Sequence, residues 1–149
     1  SCLVGSEMCI RDSFLDINMP THVADSLHKF GHKRTRIRHT PLQPRKKVYG
    51  KEAQRPDLPD DSPLASKEEK KFVQQVIGRF LYYARATDPL ILHTLSVLSE
   101  KQSEPTTKTV KQCRDFLDYM ATHQDAMIRY YTSDMVLNIH SDSLYLTAS

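Results

Sequence analysis

The 149-residue chain has only three cysteines, Cys2, Cys9 and Cys113, with no CxxC pair. That is too few and too scattered for a disulfide framework, so a reducing compartment is expected. No apolar run approaches the roughly 20 residues needed to cross a bilayer, which excludes a spanning helix from the expectations. A basic segment followed by an apolar core and a small-residue cleavage site is also missing, so an intracellular rather than secreted protein is expected. The seven histidines show no zinc-type spacing with cysteine. Asp60-Asp61, an acidic pair, stands in a proline-rich stretch, where a solvated turn is the natural reading rather than a polymerase carboxylate pair. No internal repeat is present.

Net charge is small, at +3, but unevenly spread. Between Lys29 and Arg55 stand ten basic residues and one acid, Glu52, so this stretch carries +9 and the rest of the chain −6. Such a patch is an electrostatic footprint for phosphate, although solvated basic linkers share the composition. Lys33, Arg34, Arg36, Arg38, Arg45, Lys46 and Lys47 are its candidate contacts. Pro41, Pro44, Pro56, Pro59 and Pro63 interrupt residues 32–65. A basic, then acidic, disordered linker is expected there.

Around this linker the hydrophobic period defines the elements. Phe14 to Met19 alternates like a short half-buried strand. Val23, Leu27 and Phe30 share one helical face, and Gly31 can close that helix in a left-handed conformation. Ser66 and Glu69 form a capping box. After it, Phe72, Val73, Val76, Ile77, Phe80, Leu81 and Ala84 mark a long apolar stripe. Asp88-Pro89 restarts the chain as cap and first-turn proline, with Ile91, Leu95 and Leu98 beyond. Pro105 ends that helix. Thr106 or Thr107 opens the next, with Val110, Cys113, Leu117 and Met120 inside. These three amphipathic helices predict a small bundle. Ala126 to Tyr131 and Met135 to Ser141 then read as two strands around Thr132-Ser133-Asp134.

Tyr82 and Tyr83 beside Arg79 and Arg85 can track a nucleic-acid strand, or one tyrosine can pack against a neighbouring helix. Residues 2–13, CLVGSEMCIRDS, fit nothing downstream and resemble the translation of a sequencing-library adapter; the other reading is an ordinary N-terminal strand. Setting aside adapter and linker leaves about eighty residues to share a core, a size at which burial is marginal.

VIGRFLYYARATDP (76–89), CRDFLDYMATHQDAMIRYY (113–131) and SDMVLNIHSDSLYL (133–146), with DINMPTHVADSLHKFGH upstream, resemble retrotransposon Pol polyproteins of the copia type. Gypsy-type elements share the layout. The likeness spans residues 14–149, and it rests on the order and spacing of the motifs. It implies an α+β fragment: residues 1–13 adapter, 14–31 the end of a reverse-transcriptase palm, 32–65 linker, 66–125 helical thumb/connection, and 126–149 the first strands of an RNase H-like sheet. The partners implied are an RNA–DNA hybrid or primer–template and the remainder of the polyprotein, with no membrane, in a cytoplasmic particle or the nucleus. Asp142 would match the first RNase H carboxylate, a magnesium ligand in the parent enzyme. One carboxylate cannot hold the two metal ions of that chemistry, so this fragment is expected to be inactive and to carry no cofactor itself. The alternatives are a small helical nucleic-acid-binding module acting through Lys29–Arg55, or a decayed element without function.

Overall fold

A computed structural model of the chain describes residues 7–11, 14–43, 60–132, 136 and 139. The fold is mixed α+β, and its core is helical. In chain order come β1 (Glu7–Arg11), β2 (Phe14–Asn18), α1 (His22–Lys29), α2 (Lys67–Ala86), a 3-10 turn (Pro89–Ile91), α3 (Leu92–Glu100), α4 (Thr107–Thr122) and β3 (Met127–Tyr131).

Local chemistry sets the helix boundaries. The Ser66 hydroxyl accepts from the Glu69 amide while the Glu69 carboxylate accepts from the Ser66 amide, so the expected capping box starts α2. Thr106 caps α4 by accepting from the Thr109 amide. Its own hydroxyl donates to Asp60 at 2.6 Å. Hydrogen bonds from Thr106 and Ser62 hold the pKa of the Asp60 carboxyl down to about 2. At the end of α1, Gly31 takes φ 59, which lets its amide reach the His28 carbonyl and the His32 amide reach the Leu27 carbonyl. This is a Schellman closure, and it turns the chain so that His32 leaves toward α4.

All four helices bury one face in a common core that includes Val23, Val76, Phe80, Ile91, Leu98, Phe116 and Leu117. Phe80 is its centre, edge-on to Phe116 at 5.3 Å and to Tyr83 at 6.4 Å between ring centroids. Tyr83 is fully buried and stacks on His22 (5.3 Å, 7°), while Tyr82 is half exposed. Of the two tyrosines, then, Tyr83 is the packing residue. Burial lowers the His22 pKa and raises that of Tyr83.

Cys113 is completely buried on α4, and burial lifts its thiol to about 12. Thiolate, not thiol, is the nucleophile. Cys113 should therefore resist alkylation in the folded chain and react fully in denaturant; peptide mass spectrometry of iodoacetamide-treated samples reads this directly.

The sheet has the order β1-β2-β3, antiparallel throughout, with Glu7 opposite Asn18 and Asp16 opposite Arg129. Across that last pair the Arg129 guanidinium donates twice to Asp16, at 2.6 and 2.8 Å, and lies 4.2 Å over the Phe14 ring. No residue of β2 or β3 is fully buried; the chain enters the core only at Met19. The stretch read as an adapter thus forms an edge strand over residues 7–11. The partner of β3 is β2, so the sheet joins a segment expected at the palm end to one expected at the RNase H start. Most of the expected Met135–Ser141 strand lies outside the described residues.

Candidate nucleic-acid interface

The largest departure from expectation is the first part of the linker. Residues 32–39 form no helix or strand, yet they lie along α4 as a strap. Asp115, Asp118 and Thr122 fall at i, i+3 and i+7 and so share one face of α4. Arg38 makes an ion pair with Asp115 at 2.7 Å, and its amide donates to Thr122 at 3.3 Å. Asp118, 2% exposed, accepts from the Thr35 amide (2.9 Å) and the Thr35 hydroxyl (2.6 Å), and pairs with His32 Nε2 at 2.8 Å. One step further, His39 Nδ1 lies 3.2 Å from His123 Nε2. The disordered-linker expectation therefore fails over 32–39. Its physical reason is a buried carboxylate that needs partners, which the strap supplies. A second tie holds 60–65, where the Ala65 amide donates to Pro105 and the Thr107 amide to Pro63.

Burial by itself would lift the Asp118 carboxyl, but the hydrogen bonds from Thr35 and His32 outweigh it and hold it below the ordinary carboxylate range. A depressed folded pKa contributes stability that is complete above the unfolded value of about 3.9 and is lost as pH falls through the folded value. Asp118→Asn keeps the shape but removes the charge and turns an amide toward donors. It should lose about 1.5–3 kcal/mol, the range for hydrogen bonds to a charged group. It should also flatten the acid limb of stability against pH. Urea unfolding of both proteins at neutral and acidic pH measures the two effects, and equal pH profiles would remove Asp118 from that role.

The strap, the end of α1, the first two turns of α2 and α4 line an open cleft of about 680 Å³. Phe30 and Phe72, edge-on at 5.8 Å, line it. Lys33 and Arg36 come to it from the strap, and Lys111 and Arg114 from α4. None of these four makes an ion pair among the described residues. The acids around them are differently placed. Asp115 and Asp118 are taken up by the strap, and Glu69 by the capping box. Glu68 stands on the α2 side. Charge is thus separated across the cleft, cationic on the strap–α4 wall and anionic on the α2 wall.

The candidates read from sequence divide accordingly. Lys33 and Arg36 line the cleft, and Arg34 is exposed on the strap. Arg38 is spent on Asp115, and Arg79 donates from Nε to Ser26 at 2.6 Å, tying α2 to α1. Arg85 is exposed, but it lies about 25 Å along α2 from Glu68 at 1.5 Å per residue. Arg45, Lys46, Lys47 and Asp142 lie outside the described residues. Lys111 and Arg114 were not among the sequence candidates; their spacing of three on an exposed helix face looks like ordinary solvated charge. The magnesium implied for the parent enzyme would need Asp142 with further carboxylates, and no group of three metal-ligating side chains comes together among the described residues. Likewise no helix among them is long and apolar enough to cross a membrane. Comparison with known proteins gave no match: no family model, curated protein or solved structure corresponds to the chain.

Proposed function

We propose that the chain is a piece of a retrotransposon Pol polyprotein, running from the end of the reverse-transcriptase palm through helical thumb/connection elements into the start of RNase H. In this reading the strap–α4 wall carries the nucleic-acid backbone, and catalysis belongs to carboxylates outside the fragment. The resemblance of residues 14–149 supplies the family. One structural observation carries the interface: Lys33, Arg36, Lys111 and Arg114, from two segments distant in sequence, converge on one wall with no ion pair among the described residues.

Phosphate contacts of this kind release condensed counterions, so affinity falls steeply with salt. Four contacts give a slope of about −3 to −4 for log affinity against log salt on a duplex. Anisotropy of a labelled RNA–DNA hybrid, titrated with the full chain at several potassium chloride concentrations, tests this. A flat salt response would sink the interface.

A second reading, a self-standing helical nucleic-acid-binding module, is favoured by one observation. α1 contributes Val23 and Leu27 to the same core as α2–α4, across the boundary expected between palm and thumb. Sequencing the source locus past both ends separates the two readings. A continuing frame with a paired-aspartate palm motif upstream and further acidic residues downstream supports the polyprotein.

A further inference from the structure

We propose that His39 and His123 form a two-histidine clip for a zinc-class divalent transition-metal ion, fastening the end of the strap to the end of α4. The two imidazoles come from positions 84 residues apart, and their facing nitrogens, Nδ1 of His39 and Nε2 of His123, stand 3.2 Å from each other. A tetrahedral ion with zinc–nitrogen bonds of about 2.0–2.1 Å holds two ligand nitrogens about 3.3 Å apart. The observed gap is therefore the span that a shared ion requires, and it is also that of a direct N–H···N hydrogen bond between neutral rings. Metal entry replaces that single hydrogen bond by two coordinate bonds and needs both facing nitrogens free of protons.

Both rings are positioned before any ion arrives. His123 closes α4: its amide donates to the Tyr119 carbonyl at 2.9 Å, and its ring lies against Tyr119, 4.8 Å between centroids. His39 follows directly on Arg38, which Asp115 and Thr122 fix to the helix. Both histidines are exposed, so water can reach the site and supply the remaining ligands. Neither histidine lines the cationic wall, so zinc binding is measured without nucleic acid present.

The test is zinc titration of the full chain by calorimetry, with His39→Ala, His123→Ala, the double variant, and His93→Ala on the exposed side of α3 as a control. A ligand should matter at least as much as an outer-shell partner, whose loss costs about 10–100-fold. Each single variant should therefore bind zinc about tenfold or more weakly. The double should be no weaker than the weaker single, and His93→Ala should match the wild type. Unchanged binding in the two singles, or an equal loss in His93→Ala, overturns the clip. A readout without substitution uses substoichiometric nickel, which is paramagnetic. Among the signals of the seven histidines, two should broaden first and together; uniform broadening, or none, overturns it too.

Discussion

Phe80→Ala is expected to lose about 3–5 kcal/mol, the range for emptying a buried aromatic site, when urea unfolding of the variant is compared with that of the wild-type chain. Phe80 is fully buried and touches three helices at once: its ring meets Phe116 of α4, His22 of α1 and Tyr83 of its own helix. A cavity at such a junction closes poorly, because each wall is a helix fixed by other contacts. With stability of about 0.05–0.15 kcal/mol per residue, a core shared by about eighty residues is worth about 4–12 kcal/mol. Loss of Phe80 should therefore remove a large share of it, and at the lower end leave the chain unfolded. Tyr82→Ala, two positions away on the exposed face, should stay within about 0.5 kcal/mol. A Phe80→Ala loss no larger than that of Tyr82→Ala would mean that α2 does not organise the core.

The contrast between Phe80 and Tyr82 also marks what was legible in the sequence. The α2 stripe is overdetermined, since seven apolar residues at helical spacing follow a capping box; five of them are buried, and Phe72 and Leu81 pack at its margin. Tyr83 was ambiguous because a tyrosine suits either side of a helix; α1 decides the matter by laying His22 on its ring. On α4 the pattern pointed to Val110, Cys113, Leu117 and Met120, all buried. It did not point to Thr109 or Asp118, because α4 is covered on two sides, by helices on one and by the strap on the other. The strap itself was unreadable locally. Its ties to Asp118 span 83 to 86 residues, and its composition is that of a linker. The available signal was on the other partner: an aspartate directly after Leu117, amid apolar residues, facing a chain that carries an unassigned excess of histidine, threonine and arginine. Two of the three strands, β2 and β3, were recognised; β1 fell in the stretch read as an adapter, and the pairing was not foreseen. Alternation fixes which face of a strand is apolar and says nothing about which of two strands lies beside it.

That same strap decides the second large effect. Lys111→Glu with Arg114→Glu is expected to weaken binding of an RNA–DNA hybrid by about tenfold to a hundredfold at low salt, and to reduce the salt slope by about two, one for each phosphate no longer neutralised. Both residues are exposed and unpaired among the described residues, so the exchange should leave folding intact, which circular dichroism checks. Arg85→Glu changes the charge at an exposed position far along α2, and it should alter affinity little if the wall, rather than overall charge, makes the contact. Glu68→Gln should act in the opposite direction, strengthening binding modestly by removing a carboxylate from the facing wall of the cleft. Asp118→Asn provides the structural counterpart. It leaves all four wall cations in the sequence but loosens the strap that presents Lys33 and Arg36, so affinity and stability should fall together. Lys111→Glu with Arg114→Glu should lower affinity alone. If Arg85→Glu proved as damaging as that pair, the interaction would be a diffuse response to charge, and the convergence of strap and α4 would have no part in it.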